Sequence, residues 1–163
     1  MRVSQKEYTR ALELYQRGSD LMSALREART VGDEVEQIRL TRKLSALVPP
    51  GVYIHYKTTD EHPMIYVVTG VHIEPSTLEA IVTYTFLYGP RAGLSMPRSL
   101  LGVRDGFITP VQATGIPRFK RAMKLSVIDA AKLQSNAWRI AGGKTLGGIQ
   151  HRARRVLDPR LAR

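Results

Sequence analysis

Over residues 5–48 the apolar side chains recur at helical spacing. Tyr8, Leu12, Tyr15, Met22 and Leu25 stand three, four or seven positions apart and line one stripe, with Arg10, Glu13 and Arg17 largely off it. Ser4 followed by Glu7 forms a capping box, in which the hydroxyl and the carboxylate each take up an orphan backbone N–H, so a helix is predicted to begin near Gln5. Gly18 is expected to weaken its middle. Val31-Gly32-Asp33 supplies a break, and Asp33 with Glu36 repeats the capping pattern at the head of a second helix ending near Leu47. Val35, Ile38, Leu44, Leu47 and Val48 are expected to pack on the first helix, and Pro49-Pro50 closes an antiparallel helical hairpin. The hairpin is expected to pack on the β-rich segment after it, with dimerisation through its apolar stripe as the alternative.

At Gly51 the period changes from helical to two. Val52, Ile54 and Tyr56 alternate with Tyr53, His55 and Lys57; Ile65, Val67, Val71 and Ile73 continue the pattern; Ile81, Thr83 and Thr85 oppose Val82, Tyr84 and Phe86. Residues 58–63 and 74–77 are polar and turn-rich, which joins these strands as a meander. Gly89-Pro90 and Gly93 punctuate a longer loop, and a further strand is expected at 100–103. Several short strands of this kind predict a small SH3-like antiparallel β-barrel, because closure removes exposed edges. After it, Ser126 and Asp129 cap a helix running to about residue 141, with Ala130, Leu133, Ala137 and Ile140 as its stripe and Gly142-Gly143 as its stop. Residues 149–157 read as a short amphipathic helix from which Arg152, Arg154 and Arg155 project. The expected fold class is therefore α+β: a hairpin over 1–50, a barrel over 51–121 and a basic helical arm over 122–163.

Charge changes this picture by singling out the arm. The whole chain carries a net +11, and residues 122–163 hold nine Lys/Arg against two Asp/Glu, a net of +7. A basic surface gathered in one segment is the footprint of a polyanionic partner, because neutralised phosphates release counterions. Lys144, Arg152, Arg154 and Arg155 are the principal candidates, preceded by a basic junction of Arg118, Lys120, Arg121 and Lys124. Apolar residues make up 43% of the chain and there is no cysteine, which fits a folded protein and excludes disulfides and thiolate metal sites. The opening MRVSQKEY has no secretory apolar run, so a cytoplasmic location is expected, with no membrane partner.

The residues Gly51-Val52-Tyr53-Ile54-His55-Tyr56-Lys57, then Tyr66-Val67-Val68 with Gly70, Thr77-Leu78-Glu79, Val82, Tyr84, Leu87-Tyr88-Gly89 and Pro117-Arg118-Phe119 carry a resemblance. Over about residues 51–121 the chain resembles a bacterial and phage family catalogued as domain of unknown function 1653. The flanking helical arms lie outside it. The resemblance implies a compact β-domain and a bacterial or phage source, hence a host cytoplasm or a virion, and it supplies no biochemical role.

Catalytic chemistry finds little footing. His55, His62 and His72 with Asp60, Glu61 and Glu74 lack the HxH or HxxxH spacing that sets two ligands on one element. There is no GxSxG elbow, and Gly143-Lys144-Thr145 is not a phosphate loop, because Trp138 stands where its first glycine belongs. No enzyme, cofactor or metal is expected. Tyr53, His55 and Arg98 are candidate ligand contacts, whereas Tyr66 and Tyr84 read as core. These observations predict a non-enzymatic phage or bacterial accessory protein that binds nucleic acid or a nucleoprotein complex through its basic arm. The alternatives are a structural or inhibitory protein–protein module, oligomeric through the hairpin, and a small nucleotide-binding domain using an aromatic, basic barrel mouth.

Overall fold

The computed structural model describes the backbone of residues 4–141 and the side chains of residues 4–137. In chain order the elements are α1 (Gln5–Thr30), α2 (Glu34–Ser45), β1 (Gly51–His55), β2 (Ile65–Ile73), β3 (Ala80–Phe86), β4 (Ser95–Ser99), β5 (Phe119–Lys124) and α3 (Val127–Ala141). The strands form one antiparallel sheet in the order β4-β3-β2-β1-β5.

The sheet is open, which corrects the expected SH3-like barrel. Both sides of β1 are occupied, by β2 and by β5, while β4 and β5 end the sheet without pairing to each other. Closure would remove exposed edges, but this chain blunts its edges by other means. β4 is five residues long and contains Pro97, which has no N–H to offer. β5 carries Lys120 and Lys124 and meets β1 with a register shift between Val52 and Tyr53. In the second unit of the chain a helix also covers the sheet face that further strands would otherwise cover.

The described chain divides into two compact units, each assembled from three separate segments. The first comprises residues 4–49, 70–82 and 97–118. The Ser4 hydroxyl accepts from the Glu7 N–H at 3.2 Å, and the Asp33 carboxylate from the Glu36 N–H at 3.0 Å, so both helix starts lie where their caps predict. The buried stripe of α1 is Ala11, Gly18, Met22, Leu25 and Ala28, whereas Tyr8 and Leu12 are exposed. Small residues decide this rotation. A Cβ on Gly18 would come within 2.9 Å of Leu101 Cδ2 and 3.0 Å of Ile108 Cδ1, so the glycine expected to weaken α1 admits its neighbours instead. On α2 the buried residues are Leu40 and Leu44, while Val35 and Ile38 are 79% and 56% exposed.

The strand expected at 100–103 does not form. Leu100 N–H donates to Ala80 O at 2.7 Å, Phe107 N–H to Ser99 O at 2.8 Å and Ile108 N–H to Leu100 O at 3.1 Å. Residues 100–111 thus combine these non-local bonds with local ones, Gly106 N–H to Gly102 O and Thr109 N–H to Gly106 O, while burying Leu100, Phe107, Ile108 and Val111.

The second unit comprises residues 50–69, 83–96 and, within the described chain, 119–141. Alternation sends Val52, Ile65, Val67 and Leu87 to one face of the sheet, where they pack with Ala130, Leu133 and Ala137 of α3. Ser126 starts that helix by accepting from the Asp129 N–H at 3.0 Å. Gln134 of α3 donates to the Thr85 hydroxyl at 3.2 Å, and Thr85 in turn bonds Ser95 at 2.8 Å, so polar groups under the helix are satisfied. The opposite face carries rings: Tyr66 lies 4.9 Å from Tyr84 and 4.9 Å from Phe86, and His55 lies 4.9 Å from Phe119, all edge to face.

Candidate nucleic-acid interface

The basic junction that precedes the arm falls largely on the edge strand β5, FKRAMK, and the described start of the arm adds an exposed Lys132 on α3. Its residues pair as His55 with Phe119, Ile54 with Lys120 and Tyr53 with Arg121, and after the irregularity as Val52 with Met123 and Gly51 with Lys124. Without the shift, Met123 would share the face of Phe119 and Arg121. With it, Met123 joins Val52 under α3, and Arg121 and Lys124 lie beside Tyr53 and Gly51 on the other face. Lys120 keeps to the α3 face with Ile54, so cations rim both faces of one edge. Lys120 and Lys124 are exposed and Arg121 is half-buried.

Gly51 makes this strand pairing possible. A Cβ there would meet Met123 O at 2.3 Å and Arg121 Cδ at 3.0 Å, so any side chain would push β5 away. This role is not visible in the sequence, where Gly51 only marks the end of the Pro49-Pro50 turn; the apolar Phe119 and Met123 flanking Arg121 are the one local sign of a strand.

Tyr53 and His55 are each 6% exposed. Burial pushes the Tyr53 phenol up to about 12, with the Arg121 guanidinium pulling slightly the other way, so the ring stays neutral beside the basic strand. His55 accepts from the Lys57 N–H through Nδ1 at 3.3 Å and lies 4.6 Å from the Tyr56 ring. Two cations approach less buried rings, Lys57 at 5.7 Å from Tyr56 and Arg91 at 5.9 Å from Phe86. Tyr53 and His55 are thus buried within the unit, whereas Lys120 and Lys124 on the rim of β5 are exposed where a phosphate could approach.

The remaining candidates are placed separately. In the first unit, Arg98 Nη1 donates to Asp105 O at 2.6 Å and Arg118 Nη2 to Arg104 O at 2.8 Å, so both guanidinium groups brace the 100–118 loop. Lys144, Arg152, Arg154 and Arg155 lie outside the described residues. Among the described residues no three His, Asp or Glu side chains gather in a metal-binding group, and no helix is long and apolar enough to cross a membrane. Compared with protein-family models, with curated proteins and with solved structures, the chain matches none of them.

Proposed function

We propose that this chain is a non-enzymatic accessory protein that binds nucleic acid, or a nucleoprotein complex, by contacting phosphates without reading bases. The observation that carries the proposal is the net +7 of residues 122–163, entered through an edge strand whose Lys120 and Lys124 are exposed. Lysines on an edge also deter unwanted strand pairing. In this reading Lys144, Arg152, Arg154 and Arg155, which lie outside the described residues, are the principal phosphate contacts, and Arg121 supports them. The resemblance of residues 51–121 to a bacterial and phage family makes such a source part of the proposal.

The test is binding of labelled duplex DNA, single-stranded DNA and RNA across a salt series, comparing the full chain with one truncated after Gly143. Affinity should fall steeply with salt, vary little with sequence and drop at least about tenfold on truncation. Salt-insensitive binding, or full binding by the truncated chain, would overturn the reading.

A second reading, assembly through the hairpin, is favoured by one observation: Val35 and Ile38 stand exposed one helical turn apart on α2. Under that reading the chain self-associates with concentration, and Val35→Ser with Ile38→Ser makes it monomeric. Sedimentation at several concentrations decides it.

A further inference from the structure

Within the first unit, Met22 and Arg26 of α1, Thr77, Glu79 and Ala80 of the β2–β3 connection and β3, and Ser99 and Leu101 line an open cleft of ≈ 310 Å³. Arg26 and Glu79 bring opposite charges to it, yet they form no ion pair; among the described residues the pair found is Glu36 with Arg39. The Arg26 guanidinium, the Glu79 carboxylate and the Ser99 hydroxyl make no hydrogen bond to another described side chain or carbonyl. Met22 and Ala80 are both buried and close the bottom of the cleft, whose exposed lining is mostly polar.

The wall that carries Glu79 is held in an uncommon conformation. Leu78 has φ 55°, a left-handed backbone that a branched side chain rarely adopts. Three contacts hold it: the Glu74 carboxylate accepts from the Ser76 hydroxyl and the Thr77 N–H at 2.6 Å each and from the Thr77 hydroxyl at 2.8 Å. Glu74 N–H donates to Glu79 O at 2.9 Å, and Arg29 Nη1 reaches from α1 to Pro75 O at 2.5 Å. The connection is thereby fixed before any ligand arrives, which lowers the ordering cost of binding.

We infer that this cleft binds a small zwitterion of the α-amino-acid type. Its carboxylate lies on the Arg26 guanidinium, its ammonium on the Glu79 carboxylate, and its apolar side chain against the part-exposed Leu101. The charge count selects this class. A phosphate is opposed by Glu79 and a simple cation by Arg26, whereas a molecule bearing both signs satisfies both groups, with the Ser99 hydroxyl as a further partner. The cleft residues are distinct from those proposed to touch nucleic acid, so either function can fail alone.

Calorimetric titration of the full chain with L-leucine and L-methionine tests it. One of the two should bind saturably, and N-acetylation or amidation of that amino acid should each weaken binding at least about tenfold, because each removes one charge-assisted contact. Arg26→Gln and Glu79→Gln should weaken it comparably, with circular dichroism unchanged since both positions are exposed. Absence of saturable binding by both amino acids, or binding indifferent to capping, would overturn the inference. The capped analogues are measured on the unmodified chain, so the result does not depend on the variants folding.

Discussion

At the residue scale, Glu74 shows how one side chain can organise a turn. Hydrogen bonds from the Ser76 hydroxyl first, then from Thr77, draw its pKa from 4.5 down to about 2. A carboxylate depressed on folding contributes stability above its unfolded pKa and loses that contribution as the pH falls through the folded value. Between pH 4.5 and about 2 the native chain is therefore expected to lose more stability than Glu74→Gln, which has no charge to lose. Urea unfolding at a series of pH values checks this, and parallel losses in the two proteins would remove Glu74 from the account. Gly51 and Gly18 are the complementary case, where the absence of a side chain matters. Gly51→Ala places a Cβ 2.3 Å from Met123 O and is expected to cost about 1–3 kcal/mol or more, with hydrogen-exchange protection lost first in β5.

At the element scale, capping chemistry is legible in the sequence and face selection is not. Ser4, Asp33 and Ser126 each cap the helix their spacing predicts, because such a bond closes within a few residues. Large apolar residues mark one stripe of α1, but Ala11, Gly18 and Ala28 share the buried stripe with Met22 and Leu25, which leaves Leu12 exposed while the part-exposed Tyr8 ring lies against Gly115. Strands β1 to β3 agree with their alternation. The period is broken in β5 by the irregularity opposite Val52 and Tyr53, which leaves Phe119 and Met123 as its one local sign, and β4 is a short, largely polar strand with a proline. Among the candidate site residues, the sequence places Arg118, Lys120 and Arg121 together as a junction. In the structure Lys120 and Arg121 belong to an edge strand, while Arg118 braces a loop through Arg104 O.

At the scale of the whole molecule, charge is the property that binding measurements address most directly. Truncation after Gly143 removes six basic residues and one acidic one, so the salt slope should shrink by about 0.7 to 0.9 for each phosphate contact removed. A slope that persists would overturn the arm as the interface, and Lys120→Glu with Lys124→Glu would then test the rim of β5 in its place. A chain that instead self-associates and ignores nucleic acid would return function to the exposed α2 residues Val35 and Ile38.

Local sequence is enough to set the helix starts, the change of period at Gly51, the α+β class and the concentration of charge after residue 121. All of these come from composition or from interactions between near neighbours in the chain. Long-range packing was needed to settle that the sheet stays open, that β5 returns beside β1, and that α3 covers Val52, Ile65, Val67 and Leu87. Packing likewise selects which stripe of α1 is buried and brings Arg26 and Glu79 to one cleft. Those outcomes depend on which distant segments meet and how closely their backbones approach, and no local period or cap encodes that choice.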